Sequence, residues 1–364
     1  MAQNYVIAAG GTGGHLFPGL AVGEALLAKG HQVMVLISEK QIDSLATQGR
    51  TEFRIERLPG IGLPRLFSPA VVGFVWRFAS GVNRCRALFR DFQPHAVLGM
   101  GGFTSTAPIL AGRLRGVPTF IHESNAFPGK ANRLNGSIAD CVLLGFEECR
   151  KHFPKASCEV TGTPVRTALA AKLPRAEALA VFGLTPERRT LLVMGGSQGA
   201  HGINKSLVDA LPALKDLPLQ IVHLSGAQDE AMLRYAYKAQ GIPAFVAAFH
   251  HHMEQAYSAA DFAISRSGAA SLTELSHFAI PSVLIPFPFA ADDHQTLNAR
   301  IFAAAGAGVL LPERDIAGDT LAAKLRWFLD DPSRLSEMSA RTAQLAPVHA
   351  AERVAETILN FHKK

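Results

Sequence analysis

Arg266-Ser267-Gly268-Ala269-Ala270-Ser271-Leu272-Thr273-Glu274 follows an apolar run, Asp261-Phe262-Ala263-Ile264-Ser265, and decides how the chain is read. The run predicts a short buried strand, and the small residues after it predict a helix start. Ser267 offers a side-chain oxygen to the free amides of such a start, and Gly268 lets backbone come close. Unpaired N–H groups and the helix dipole favour an anion there. Glu274 lies one to two turns further on. A carboxylate at that distance repels a phosphate less and can accept hydrogen bonds from sugar hydroxyls. The stretch therefore reads either as an ordinary capped helix or as a holder for a nucleotide sugar.

The same order of apolar run, glycine turn and helix recurs. Tyr5–Ala9 enters Gly10-Gly11-Thr12-Gly13-Gly14-His15. A helical pattern follows from about Phe17 to Lys29, stopped by Gly30, and then a strand at Gln32–Ile37. His95–Met100 enters Gly99-Met100-Gly101-Gly102-Phe103, with a helix of small residues after it. Leu191–Met194 enters Gly195-Gly196-Ser197-Gln198-Gly199-Ala200, with a helix to about Leu214. Further strands are expected at Pro118–His122, Cys141–Leu144, Glu159–Thr161, Leu219–Leu224, Pro243–Phe249 and Ser282–Ile285. Strands alternating with helices imply an α/β fold with parallel sheets covered on both faces. The strand at Pro118–His122 ends in Glu123-Ser124-Asn125, polar residues at the edge where open α/β sheets place ligands.

The series breaks at Gly162-Thr163-Pro164-Val165-Arg166, which reads as a linker. A chain of 364 residues suits two domains. We expect them at 1–161 and 167–346, with a last helix at 347–364 packing back on the first. Two such sheets are expected to turn their carboxyl edges toward a shared cleft.

Composition narrows the function. Apolar residues make up 48% and charged ones 18%, with a net charge of +6. That excess suits an anionic ligand or an anionic membrane surface. There is no dense Lys/Arg block and no nucleic-acid motif, so nucleic acid is not an expected partner. Cys85, Cys141, Cys149 and Cys158 lack CxxC spacing, which argues against a zinc site and fits a reducing cytoplasm. No basic stretch precedes Tyr5, so no secretory signal is expected. The run from Phe278 to Ala291 is broken by Pro281, Pro286 and Pro288 and is too short to span a bilayer. The first glycine turn lacks Gly-Lys-Ser/Thr, and Leu16 stands where a dinucleotide fingerprint needs its third glycine. His250-His251-His252 invites a metal reading, but adjacent residues point different ways and lack ligand spacing.

From Leu66 to Arg90 large apolar residues, among them Phe67, Phe74, Val75, Trp76 and Phe78, mix with Arg77, Arg84, Arg86 and Arg90. No acidic residue occurs from Leu58 to Arg90. The segment reads either as an amphipathic core helix with a wet basic face or as an interfacial membrane contact.

Taken together, Gly10–His15 with Leu16-Phe17-Pro18-Gly19-Leu20-Ala21, Gly99–Phe103, His122-Glu123-Ser124-Asn125, Gly195–Ala200 and Arg266–Glu274 resemble the MurG family. Its members are bacterial UDP-N-acetylglucosamine:N-acetylmuramyl-(pentapeptide) pyrophosphoryl-undecaprenol N-acetylglucosaminyltransferases. The resemblance spans about residues 5 to 360 and rests on the order and spacing of the motifs. It implies a GT-B fold of two Rossmann-like domains. It also implies transfer of N-acetylglucosamine from UDP-GlcNAc to the C4 hydroxyl of MurNAc in lipid I, with inversion, giving lipid II and UDP.

The resemblance further implies site roles. Ser197 would contact phosphate, Arg166 would help hold the nucleotide, and the backbone at Phe249 and His250 would read uracil. Ala269, Ala270, Ser271, Leu272 and Thr273 would line the diphosphate and sugar, and Glu274 the ribose hydroxyls. Gln295 and Asn298 would read GlcNAc hydroxyls. Thr12, Gly13, Gly14 and Asn125 would close over the donor. Gly14, His15, Gly101 and Gly102 would meet the acceptor pyrophosphate. Three positions depart from common family residues: Ser124, His250 and His294. The implied location is peripheral, on the cytoplasmic face of the bacterial inner membrane. Phe74, Val75, Phe78, Arg77, Arg84 and Arg86 would meet anionic inner-leaflet phospholipid. Other proteins of cell-wall synthesis and division are the implied protein partners. No cofactor is expected, and no Asp-x-Asp metal motif occurs.

Inversion needs one in-line displacement with a base on the acceptor hydroxyl. His15 is the candidate, because an imidazole titrates near neutral pH. Rival readings are another GT-B enzyme, such as a lipid or antibiotic glycosyltransferase or a UDP-GlcNAc 2-epimerase, and a non-catalytic nucleotide-sugar binder.

Overall fold

The computed structural model describes residues 1–10, 13–39, 47, 49–59, 70–169, 171–196 and 199–362. Thr12, Ser197 and Phe67 lie outside the described residues. The chain forms two compact units, Met1–Thr167 with Pro347–Lys364, and Ala168–Ala346.

In the first unit the strands are β1 (Asn4–Ala8), β2 (Gln32–Ser38), β3 (Arg54–Leu58), β4 (Ala96–Gly99), β5 (Thr119–Glu123), β6 (Cys141–Leu144) and β7 (Cys158–Val160). Among the described residues they make one sheet in the order β3-β2-β1-β4-β5-β6-β7. Every neighbouring pair is parallel. Helices α1 (Gly13–Ala28), α2 (Ala70–Phe92), α3 (Thr106–Leu114) and α4 (Lys130–Asn135) connect them.

Successive strand residues point to opposite faces, and both faces are covered. Tyr5, Ile7, Val35, Leu98 and Phe120 enter one core, while Val6, Met34, Val97 and Ile121 enter the other beside Phe89 of α2. That is why the central strands read as unbroken apolar runs. β3 does not read so. Its sequence Arg-Ile-Glu-Arg-Leu is charged because it is an edge strand, paired among the described residues with β2 alone, and Arg54 forms an ion pair with Glu56 at 3.3 Å.

The second unit repeats the plan. Its strands are β8 (Arg189–Met194), β9 (Leu219–Leu224), β10 (Ala244–Ala247), β11 (Phe262–Ser265), β12 (Ser282–Leu284) and β13 (Gly308–Leu310). Their order is β10-β9-β8-β11-β12-β13, again all parallel. The helices are α5 (Arg175–Val181), α6 (His201–Ala210), α7 (Glu230–Gln240), α8 (Met253–Ala259), α9 (Ala269–His277), α10 (His294–Ala304), α11 (Gly318–Leu329) and α12 (Pro332–Gln344). The chain then returns to the first unit as α13 (Ala350–Leu359). There Val354, Ala355 and Ile358 are buried in the core that α1 covers.

In each sheet the strand order reverses at one point, between β1 and β4 and between β8 and β11. Crossovers leave such a point in opposite directions and open a crevice at the carboxyl ends of the strands. The four stretches singled out in the sequence, after β1, β4, β8 and β11, all lie at these two points.

Under the second crevice runs a chain of buried polar groups. The Asn204 amide donates to the Ser225 carbonyl at 2.9 Å and to Asp229 at 2.8 Å. Its oxygen then faces His223 Nε2 at 3.0 Å, which makes that nitrogen the donor. His223 Nδ1 accepts from the Tyr237 hydroxyl at 2.7 Å. Burial pushes His223 down from 6.5 to about 3, so it stays neutral when folded. Between those two pH values the unfolded chain binds more protons than the folded one. The stability this site contributes is therefore full above pH about 6.5 and is lost as pH falls toward about 3. A glutamine keeps a donor and an acceptor but does not titrate. Urea unfolding of His223→Gln should accordingly show a shallower loss of stability across that window than the parent chain, and equal slopes would refute the assignment.

Candidate active site

The first unit sets the glycine turn after β4 against a histidine at the start of α1. α1 begins at Gly13, earlier than the expected Phe17, so Gly13, Gly14 and His15 form its first turn. Pro18 lies inside the helix, where it costs one backbone hydrogen bond without ending it. The His15 ring rests against the second turn. A Cβ on Gly101 would stand 2.8 Å from His15 Nε2, and one on Gly102 would stand 3.6 Å from Nδ1. Both glycines have positive φ, +113° and +70°, a conformation that side chains disfavour. The Thr104 hydroxyl ties the two turns together by donating to the Gly10 carbonyl at 2.8 Å.

Beside them, the end of β5 is built on a buried carboxylate. Glu123 is 4% exposed. Its Oε1 accepts from the Asn125 amide N–H at 2.9 Å and from the Asn125 side chain at 3.0 Å. Its Oε2 accepts from the Gly129 N–H at 3.0 Å and from the Asn132 side chain at 2.9 Å. Four bonds satisfy the charge and fix the loop that carries Asn125. His122 is fully buried, and its Nε2–H donates to the Gly162 carbonyl at 2.9 Å. Its Nδ1 faces the Ser124 hydroxyl at 3.3 Å. Burial lowers the His122 pKa, against the opposing pull of the Gly162 bond and Glu123. Arg166 lies in this unit with its guanidinium 4.8 Å over the Phe17 ring of α1.

In the second unit, the turn after β8 holds Gly196 and Gly199 at φ +93° and +77°. A Cβ on Gly199 would overlap the Ser225 carbonyl, so this turn needs glycine. α9 opens at Ala269, with Gly268 as its cap and the first bond from the Leu272 N–H to the Gly268 carbonyl at 3.0 Å. The amides of residues 269–271 precede that bond and point out of the helix end.

Here the structure corrects the sequence reading. Ser267 does not cap the helix: it is buried, and its hydroxyl donates to the Gln295 carbonyl at 2.9 Å. Helical spacing also divides the stretch. Ala270, Ser271 and Glu274 share the outer, half-buried face, whereas Ala269, Leu272 and Thr273 are buried. The Thr273 hydroxyl bonds back to the Ala269 carbonyl at 2.9 Å. Leu272 and Thr273 thus belong to the core through their side chains.

Gln295 and Asn298, both on α10, knit the neighbouring turns. Gln295 Oε1 accepts from the Phe287 N–H at 2.9 Å. Asn298 is fully buried and donates to the Ser267 carbonyl at 3.1 Å, so its amide bears on the turn through Ser267. Arg266, which sequence reasoning left without a role, ties these turns to a third. Its guanidinium donates to the Ile285 and Pro286 carbonyls at 3.2 and 3.1 Å and pairs with Glu313 at 2.6 Å. At the end of β10, the half-buried His250 packs on Phe182 with ring centroids 5.3 Å apart, and its Nε2 bonds Gln255 Oε1 at 3.0 Å. His252 bonds Glu254 at 3.2 Å and His251 packs on Phe249, so each of the three histidines has its own partner.

Helix α2 carries an uncovered apolar patch. Val75 and Trp76 are 56% and 72% exposed. Arg77, Arg84 and Arg86 are exposed beside and beyond them, with Arg84 3.9 Å from Glu56. Phe74 and Phe78 stack at 6.2 Å, and Phe78 packs partly onto the core. The exposed apolar surface is therefore Val75 with Trp76 more than Phe78. Among the described residues no helix is long and apolar enough to cross a membrane.

Comparison with known proteins agrees with this geometry. Residues 5–144 match the glycosyltransferase family 28 N-terminal domain, and residues 190–354 match the family 28 C-terminal domain. A protein of Syntrophus aciditrophicus, named UDP-N-acetylglucosamine--N-acetylmuramyl-(pentapeptide) pyrophosphoryl-undecaprenol N-acetylglucosamine transferase, is 38% identical over 99% of both chains. One of the same name from Geobacter sulfurreducens is 37% identical over 99% of both. Among solved structures, MurG of Acinetobacter baumannii is similar with a TM-score of 0.78 and 28% identity, covering 99% of this chain and 100% of that one. Two parallel, Rossmann-like sheets of the GT-B type, matched to both family domains and to relatives along nearly the whole length, show that the chain belongs to the MurG family within glycosyltransferase family 28.

Proposed function

We propose that this chain transfers N-acetylglucosamine from UDP-GlcNAc to the C4 hydroxyl of the N-acetylmuramyl residue of lipid I, giving lipid II and UDP with inversion at the sugar. The observation that carries the reading is the seating of His15, on the first turn of α1, against the glycine turn after β4 at the strand-order reversal, in a chain matched from end to end by transferases of that name. The second unit holds the donor. The outward amides of residues 269–271 and the glycine turn at Gly195–Ala200, with Ser197, receive the diphosphate. Ala270 and Ser271 line it, Glu274 takes the ribose hydroxyls, and the backbone at His250 reads uracil. Gln295 and Asn298 shape the sugar side of the site.

The first unit receives the acceptor. Its pyrophosphate lies against Gly14, Gly101 and Gly102. His15 takes the proton from the C4 hydroxyl as that oxygen attacks the anomeric carbon. The bond from that carbon to UDP breaks on the opposite side, and the helix N-termini at Ala269 and His201 stabilise the departing diphosphate. No cofactor enters this reading.

Lipid I is a membrane lipid, so the enzyme works at the surface that holds it. Val75 and Trp76 insert at the cytoplasmic face of the inner membrane while Arg77, Arg84 and Arg86 meet anionic headgroups.

Radiolabelled UDP-GlcNAc with a short-chain lipid I analogue should give acceptor-dependent transfer that prefers GlcNAc over GalNAc. Donor turnover without acceptor would instead indicate an epimerase. His15→Ala should lower kcat by about 10²–10⁴. Near-normal kcat with a raised acceptor KM would remove His15 from the role of base. Gly101→Ala puts a methyl against His15 Nε2 and should lower kcat in the same direction while leaving donor KM nearly unchanged. Reversing the charge of Arg77, Arg84 and Arg86 together should weaken binding to vesicles containing phosphatidylglycerol, and unchanged binding would contradict the membrane assignment.

A further inference from the structure

Tyr257 is buried at 2% exposure on α8, and its hydroxyl donates to Glu274 Oε2 at 2.7 Å. The ring is locked from two sides. It stacks on Phe278, at the end of α9, with centroids 5.2 Å apart and planes 30° from parallel. The hydroxyl also lies 3.6 Å from the sulfur of Met194, the last residue of β8 before the glycine turn. Glu274 itself is half-buried on the outer face of α9. A glutamate has three rotatable bonds, and fixing them on binding costs free energy. A short bond from an immobile phenol to a carboxylate is charge-assisted and directional, so it fixes the rotamer and plane of the carboxylate before a ligand arrives.

We propose that Tyr257 is a positioning residue that sets the Glu274 carboxylate for the ribose hydroxyls of the nucleotide. The proposal rests on Glu274 being the ribose-binding side chain. It makes the selectivity of the site for a ribose diol a property of the pair and not of the glutamate alone. The phenol never touches the substrate. It links the floor of the turn after β8, through Met194, to the outer face of α9, so one buried ring holds the parts of the donor site on either side of the strand-order reversal.

The test compares the binding of UDP and of 2′,3′-dideoxy-UDP, which lacks both ribose hydroxyls, by calorimetry on the full chain. Tyr257→Phe keeps the ring on Phe278 and removes only the hydroxyl. It should weaken UDP by roughly tenfold, the scale of one hydrogen bond to a charged group, and leave dideoxy-UDP within twofold of the parent. Glu274→Gln should erase the preference for UDP over dideoxy-UDP. The double variant should then lose no more than Glu274→Gln alone.

The failures are separable. If Glu274→Gln keeps the preference, the ribose role of Glu274 falls and the proposal with it. If Glu274→Gln erases the preference and Tyr257→Phe keeps it, the role of Tyr257 alone falls. Equal weakening of both ligands in Tyr257→Phe would mark a general packing role and overturn the proposal.

Discussion

A parallel sheet cannot be closed by tight hairpins. Each strand must be followed by a crossover, and every crossover begins at the carboxyl edge of the sheet. This constraint organises both units. It gathers the turns that begin helices along one edge, and the reversal of strand order sets two of them side by side in each sheet. Glycine is required at these points because backbone passes too close to its neighbours for a side chain. His15 lies against Gly101 in one unit and the Ser225 carbonyl against Gly199 in the other. The candidate site is thus a consequence of topology first and of side-chain chemistry second.

Turns that hold ligands need rigid support, and here the support is polar and buried. Glu123 fixes the Asn125 loop with four hydrogen bonds. Asn204 and His223 underlie the turn after β8, and Asn298 with Ser267 joins the turns after β11 and β12. A buried polar group left unpaired costs more than a pair contributes, so such networks tolerate few arrangements. Much of each site is therefore specified one layer beneath the surface that a ligand would touch.

This layering explains what was legible in the sequence. The central strands and glycine turns were readable, because burial on both faces gives unbroken apolar runs and positive φ selects glycine. β3 was not, since an edge strand with one neighbour carries Arg54, Glu56 and Arg57. Nor was α7, whose fully buried residues are only Leu233 and Tyr237, too narrow a stripe to show a period. Ser267 was misread because its position suits an N-cap, whereas its hydroxyl turns to Gln295, a contact 28 residues away. Arg266 and Glu123 stood in stretches the sequence singled out and Tyr257 in none, but the roles of all three lie in partners brought close only by the fold. Trp76 stood in the basic aromatic run, but exposure singles it out and the sequence does not.

The same logic separates two histidines at the carboxyl edge of the first sheet. His122 lies in β5, fully buried between the Gly162 carbonyl and the Ser124 hydroxyl, with both ring nitrogens engaged and its pKa depressed by burial. A base must meet its substrate, and the fully buried His122 cannot do so without breaking the loop it supports. His15 sits in the first turn of α1, only half-buried, with its ring against Gly101 and Gly102. The fold thus uses one imidazole as a buried structural pin and leaves the other half-buried at the candidate site. The difference follows from where each falls: inside a strand buried on both faces, or on the first turn of a helix at the edge.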